Sequence, residues 1–214
     1  MPRKPIPPSD HLPYHITARA LNREPFPVPI RDMWSLIQDY LFLTTHLYGL
    51  NVHSFVLMPN HFHLLVSTPN SNIGAAMNYF MRETARETSR LSNRINQTFG
   101  ARHHKCLIGN AHYFFTAYKY VYRNPVRAGL SRRTEEYPYS TLAGALGLRP
   151  LVVPLTEDTI LFPGNFDWTA LEWLNRTPDE VVEDEVRQAL KHSEFELNTN
   201  RILGRPSVLE TELL

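Results

Sequence analysis

Along the 214 residues the spacing of apolar positions changes several times, and each change marks an element. Tyr14 to Leu21 (YHITARAL) alternates apolar and polar positions, the pattern of a half-buried strand. From Ile30 to Tyr48 the period lengthens. Met33, Trp34, Ile37, Leu41 and Tyr48 share one helical face, and Gly49 stands where the chain leaves the helix. Two short runs, NVHSFVLMP and HFHLLVSTP, flank Pro59-Asn60 and read as strand, tight break and strand. Asn70, Ser71 and Asn72 then offer N-caps to a long helix, whose seam of Ile73, Met77, Phe80, Thr84, Leu91 and Ile95 continues toward Gly100. A short strand is expected near Lys105 to Ile108. A second amphipathic helix spans about Ala111 to Arg123 and is closed by Asn124-Pro125, because the residue before proline is pushed out of the helical region.

Beyond Pro138 the character changes. LVVPLTEDTILFPG is broken by prolines, and Asp167 is placed to cap a short helix carrying Trp168, Leu171 and Leu174. Thr177-Pro178-Asp179-Glu180 reads as another helix start with Thr177 at the cap. Residues 1–13 are proline-rich and expected to be poorly ordered. The order strand, helix, strand, strand, helix, strand, helix implies an α+β sheet with helices packed on it. Residues 1–147 are expected to form the main domain and residues 148–214 an acidic, helical C-terminal extension.

Composition adds little until charge is divided along the chain. The net charge is +1, but residues 82–133 hold 11 Lys/Arg against 2 Asp/Glu, and residues 134–214 hold 6 against 15. The first block is a footprint for a polyanion, or else a partner for the acidic block within the same molecule. No apolar run reaches the roughly 18 residues a membrane helix needs, and the basic start has no apolar segment behind it, so it does not read as a signal peptide. The single cysteine, Cys106, excludes an intramolecular disulfide. A cytoplasmic protein without a membrane partner is expected.

His61-Phe62-His63 lies in the second strand of the pair, so His61 and His63 share one face while Phe62, Leu64 and Val66 point into the core. Such a pair can grip one metal ion, although the same spacing suits surface or satisfied core histidines. The lack of a second cysteine and of HExxH argues against a structural zinc site, and two histidines with one oxygen donor suit Mg²⁺ or Mn²⁺ engaged with a phosphate. His15, His103 and His104 remain as possible ligands and are read as nucleic-acid contacts or bystanders. In AHYFFTAYKYVYRNPVRAGL, Phe114, Ala117, Tyr118 and Val121 cluster on the packing face. Tyr120 is displaced from that face, with Asn124 one turn later. A phenol attacks a phosphodiester poorly unless the phosphate is neutralised and positioned, so a metal beside it, with the Asn124 side-chain oxygen as a third ligand, gives the arrangement a chemistry. Four tyrosines within ten residues leave the choice of nucleophile open on composition alone.

Met58-Pro59-Asn60-His61-Phe62-His63, joined some 60 residues later to YVYRNPVRAGL, resembles the single-tyrosine, His-hydrophobic-His transposases, and among them the REP-associated tyrosine transposases. YHITARAL and YPYSTLAGALG are similar to the family's opening strand and to its segment after the tyrosine helix, so the resemblance spans about residues 12–147. It implies a ferredoxin-like antiparallel sheet with packed helices, metal ligands His61 and His63, the nucleophile Tyr120, and Asn124 in the place of a polar third ligand. The implied reaction is cleavage of single-stranded DNA near imperfect hairpins through a 5′-phosphotyrosine link, followed by transfer to another strand. It favours a monomer over a homodimer. RHHKCLIGNAHYF departs from the aromatic, Arg-rich stretch of many members, and the acidic extension matches little of the family pattern.

Arg82, Arg86, Arg90 and Arg94 recur every four residues along the long helix. With Lys105, Lys119, Arg123, Arg127, Arg132 and Arg133 they read as a phosphate track near the tyrosine, from which Arg82, Arg86, Arg90, Lys105, Arg123 and Arg127 are the expected DNA contacts. Glu83 and Glu87 can instead pair with Arg86 and Arg90 as an ordinary solvated face. The acidic extension is expected to cover the basic face and compete with DNA. Two other readings are a domesticated, non-catalytic module that binds hairpin DNA or RNA, and a metal-dependent hydrolase that uses water and leaves Tyr120 as packing.

Overall fold

The computed structural model describes residues 8–156 and 168–196. Residues 1–7 of the proline-rich start, Asp167 and residues 197–214 lie outside the described residues. Four strands, β1 (Tyr14–Arg19), β2 (Asn51–Met58), β3 (His61–Ser67) and β4 (His104–Leu107), form one sheet in the order β2-β3-β1-β4. Each neighbouring pair is antiparallel. With α1 (Ile30–Tyr48) and α2 (Ile73–Ser92) as the two connections, this is the ferredoxin-like arrangement. The α+β expectation holds.

The period of two assigns the strands' side chains to two cores. Tyr14, Ile16 and Ala18 of β1 with Phe62, Leu64 and Val66 of β3 pack against Met33, Ile37 and Leu41 of α1 and Met77 and Phe80 of α2. A register shift between Val52 and Ser54 lets both Val52 and Phe55 face this layer. The opposite face carries Val56, Met58, Leu65 and Cys106, and α3 (Ala111–Arg127) covers it with Phe114, Ala117, Tyr118, Val121 and Tyr122.

α1 has the expected bounds, and Gly49 ends it in the left-handed conformation (φ 66°). α2 is shorter than its seam implied. Asn93 takes a left-handed cap (φ 51°) and stops the helix at Ser92, which leaves Leu91 half exposed, Ile95 fully exposed and Arg94 beyond the helix. α3 is longer than expected and carries Pro125 inside its last turn. Proline there forfeits one bond, to the Val121 carbonyl, and the turn still closes through Ala128 N–H donating to the Asn124 carbonyl at 3.0 Å and Leu130 N–H to that of Pro125 at 2.9 Å. At the other end the Asn110 side chain accepts from Tyr113 N–H.

After α3 the chain returns along the sheet edges. A short helix, α4 (Leu142–Ala145), follows a segment in which Leu57 N–H donates to the Tyr139 carbonyl and Thr141 N–H to that of Phe55, covering the edge of β2. The free edge of β4 is covered likewise, with Leu107 N–H donating to the Ser193 carbonyl. α5 (Trp168–Asn175) and α6 (Glu180–Ala189) lie on α3 and add Leu174, Val182, Val186 and Ala189 to its core, while Val153 joins the other. The described residues beyond 147 therefore share both cores with the main domain. The cap of α6 is Asp179, which accepts from Val181 N–H, and not Thr177.

Candidate active site

The site lies between the sheet and α3. β1 and β3 pair with Thr17 opposite His63 and Arg19 opposite His61, so His15, Thr17, Arg19, His61 and His63 share the face that α3 covers. The rings of His61 and His63 stand 4.9 Å apart, centre to centre. Of the tyrosines of α3, Tyr118 and Tyr122 are buried in the core, and Tyr113 lies against Phe195. Tyr122 and Thr141 share a hydroxyl hydrogen bond of 2.9 Å. Tyr120 turns toward the histidines. Its ring meets His63 edge-on at 5.7 Å and His15 at 6.1 Å. Asn124 follows one turn later, its Nδ2 donating to the Tyr120 carbonyl at 2.8 Å, which leaves its Oδ1 available.

Hydrogen bonding fixes the state of His61. Asn60 Nδ2 donates to the Arg23 carbonyl at 2.7 Å, and a carbonyl can only accept. The oxygen of the Asn60 amide therefore faces His61 Nδ1 at 2.6 Å, so Nδ1 carries the proton and Nε2 presents a lone pair. His63 contacts His15, with Nδ1 and Nε2 respectively 3.0 Å apart, and among the described residues the outer nitrogens, His63 Nε2 and His15 Nδ1, are both buried with no hydrogen-bond partner. Burial holds all three imidazoles neutral. His61 is lowered to about 4, with Arg19 adding to the effect, His15 to about 3, and His63 well below its ordinary value. Two neutral imidazoles are donors to a divalent metal ion, and an oxygen donor beside them would suit Mg²⁺ or Mn²⁺ engaged with a phosphate. Among the described residues no three His, Cys, Asp or Glu side chains converge as a metal cluster.

The cations divide. Arg82, Arg86 and Arg90 lie on α2, on the far side of the sheet from Tyr120. Arg82 and Arg86 bond the buried Glu83 (2.9 and 2.6 Å), and Arg90 pairs with Glu87. Lys105, opposite Ile16, also belongs to that side, with Nζ 5.7 Å from the centre of the Tyr14 ring. The expected single track is thus split by the sheet. Arg123 and Arg127 do lie on the tyrosine helix, but α6 occupies them. Arg123 is 5% exposed, with Nε donating to Glu183 at 3.2 Å and Nη1 to the carbonyls of Leu174 and Asn175. Arg127 bonds Asp184 at 2.9 Å and stands 3.7 Å from Glu183. Burial raises the Tyr120 phenol above its ordinary value, Arg127, Arg187 and Arg19 pull it back, and Glu183 raises it further.

Several residues escaped the sequence reading. The alternation in YHITAR already put His15, Thr17 and Arg19 on one face, but only the pairing of β1 with β3 shows that it is the histidine face. A cavity of about 380 Å³ beside Thr17 is lined by Arg19, Arg23, Arg102 and His104. Asn22 and Arg23 on its rim take left-handed backbone conformations (φ 55° and 61°), uncommon for residues with side chains. His104 itself donates from Nε2 to the Leu190 carbonyl at 3.0 Å.

No protein-family model matches the chain, and no curated protein matches it. Among solved structures it is similar to a REP-associated tyrosine transposase bound to a REP hairpin, at 17% identity and a TM-score of 0.58, covering 77% of this chain and 97% of that one. It is also similar to a provisionally named transposase from Deinococcus radiodurans R1, at 18% identity and a TM-score of 0.38, over 49% of this chain and 83% of that one. The first likeness establishes the fold. No described helix is long and apolar enough to cross a membrane.

Proposed function

We propose that the chain is a tyrosine transposase of the REP-associated kind, a nuclease and strand transferase that cuts single-stranded, hairpin-associated DNA. The observation that carries this reading is Tyr120, set edge-on 5.7 Å from His63, whose ring stands 4.9 Å from that of His61, with Asn124 one helical turn along from Tyr120. The hairpin bound by the neighbour of like fold, and the His-Phe-His and Tyr-Val-Tyr-Arg-Asn-Pro motifs, support the same substrate class.

In this reading the Tyr120 phenol loses its proton and attacks the scissile phosphorus. The phosphorus–O3′ bond breaks, the 3′-oxygen takes up a proton, and the 5′ end remains as a phosphotyrosine ester. A 3′-hydroxyl of another strand reverses the step and releases the phenol. His61, His63 and Asn124 would hold a Mg²⁺ or Mn²⁺ ion, which when bound would supply charge neutralisation at the phosphate. Arg19, Arg23 and Arg102, around the neighbouring cavity, hold the flanking phosphates. Arg127 joins them when α6 gives it up. Since Tyr120 meets the histidines of its own chain, the active unit is a monomer acting in cis.

One observation favours a second reading, a non-catalytic hairpin-binding module. Tyr120 is largely covered, and Arg127 is already paired. The two separate in one assay: wild type and Tyr120→Phe are incubated with labelled single-stranded hairpins and Mn²⁺ and run on a denaturing protein gel. A covalent adduct with wild type alone, abolished by chelator, is the expected result. Binding without any adduct across several hairpins favours the module.

A further inference from the structure

Two buried histidines meet end to end behind Tyr120. His15 and His63 are nearly coplanar (18°), their ring centres are 5.2 Å apart, and His15 Nε2 and His63 Nδ1 are 3.0 Å apart. The centre-to-centre separation exceeds the N···N distance by 2.2 Å (5.2 − 3.0), about one ring radius on each side. The two nitrogens therefore lie on the line joining the rings. That is the geometry of an N–H···N hydrogen bond. Two ligands of one ion would instead turn their lone pairs to a common point off that line, and no such convergence involving His15 occurs among the described residues.

One proton is shared across this contact, and its position decides what His63 can do. Either placement leaves one buried outer N–H without an acceptor among the described residues, His63 Nε2–H if His15 Nε2 carries the shared proton and His15 Nδ1–H if His63 Nδ1 carries it, so the role of His63 decides between them. If His63 Nδ1 carries it, His63 Nε2 presents a lone pair beside His61, whose own lone pair the Asn60 amide already directs through Nε2. His61 and His63 then have the same form: Nδ1–H donated to a neighbour, and Nε2 bare. We propose that His15 is a positioning residue, which accepts a hydrogen bond from His63 Nδ1–H and so fixes the ring and tautomer with which His63 grips a divalent cation. The inference rests on the metal site of the proposed function. A ligating histidine whose other nitrogen is held by a partner gains both orientation and basicity.

The test compares Mn²⁺ binding by the full chain, measured by electron paramagnetic resonance, for wild type, His15→Leu and His15→Gln. Leucine fills the buried space without an acceptor, whereas glutamine places an amide oxygen at about the reach of the imidazole Nε2. His15→Leu is expected to weaken Mn²⁺ binding about 10- to 100-fold, and His15→Gln to recover most of the loss, with metal-free thermal unfolding alike in both variants. Equal affinity of wild type and His15→Leu, or no recovery in His15→Gln, overturns the proposal. A measurement that needs no substitution is ¹⁵N spectroscopy of the histidine-labelled, metal-free chain. His63 is expected to be protonated on Nδ1 and bare on Nε2, and the opposite tautomer overturns the proposal. Failure of the functional reading is distinguishable. A wild type that takes up no Mn²⁺ overturns both, whereas Mn²⁺ uptake that depends on His15 without any DNA adduct leaves this inference standing and removes the transferase.

Discussion

Tyr120 and His63 are separated by 57 positions in the chain, yet their rings meet at 5.7 Å with their planes 83° apart. The contact exists because β3 turns His63 away from the first core and α3 lies across that same face. Tyr118 and Tyr122, two residues to either side, are committed elsewhere: both are buried, and the Tyr122 hydroxyl is bonded to Thr141. Tyr120→Phe is therefore expected to abolish the covalent DNA adduct while changing stability by less than about 1 kcal/mol. Tyr122→Phe is expected to keep the adduct and cost about 1 kcal/mol, the net worth of one buried hydrogen bond. Adduct yield on gels and urea midpoints measure both. An adduct that survives in Tyr120→Phe removes the assignment.

The arginines separate by what they touch. Arg123 is buried with a carboxylate and two carbonyls, so Arg123→Ala takes from Glu183 its nearer cation and leaves two carbonyls without their donor, and is expected to destabilise the fold by about 3 kcal/mol. Arg82 is mostly exposed, and Arg82→Ala is expected to cost less than about 1 kcal/mol. Arg19→Ala, at the cavity beside the histidines, is expected to lower adduct yield with little loss of stability. Thermal unfolding together with the adduct assay distinguishes the three. Equal loss of adduct in Arg82→Ala and Arg19→Ala would return the α2 stripe to the DNA path.

These contrasts mark how far the sequence could be read. The periods of two and 3.6 gave the four strands, the bounds of α1 and the shared face of His61 and His63, because each depends on local spacing alone. Proline and asparagine misled at helix ends: Pro125 is tolerated in a last turn, and Asn93 ends α2 by a left-handed cap that its side-chain type permits but does not impose. The basic stripe read as one track because charge was counted along the chain, whereas the sheet stands between α2 and α3. His15 was read as a nucleic-acid contact or bystander for a related reason. Its role depends on which strand lies beside β3, and that pairing joins residues 48 positions apart.

The acidic extension was expected to compete with DNA, and α6 does place Glu183 and Asp184 on Arg123 and Arg127. Deleting residues 148–214 would remove Leu174, Val182 and Val186 from the core and is a poor test. Asp184→Asn is cleaner, because Asp184 is half exposed and, among the described residues, its ion pairs are with the outer arginines, Arg127 and Arg187. It is expected to tighten single-stranded DNA binding at low salt. The slope of log K against log salt should steepen by about 0.7 for each cation released to the DNA. Fluorescence anisotropy across a salt series measures it, and unchanged affinity and slope would mean that α6 does not mask the site.

The buried histidines give the fold an acid limit. His15 and His61 are lowered to about 3 and about 4, and His63 well below its ordinary value, all mainly by burial; His103 is likewise lowered to about 4. In the unfolded chain the same groups titrate near 6.5, so below that pH the unfolded state binds protons that the folded state does not, and stability falls as pH falls. Nothing is lost above about 6.5. Between there and the folded-state values, each neutral histidine removes about 1.4 kcal/mol per pH unit. Read between pH 6.5 and 5, above the range where carboxylates take up protons, the metal-free chain is expected to lose at least about 2 kcal/mol of unfolding free energy. Urea unfolding in the presence of chelator measures this. His103→Gln, which removes one depressed group outside the site, should flatten the loss, and a profile already flat in wild type would mean that these imidazoles are not held neutral by the fold.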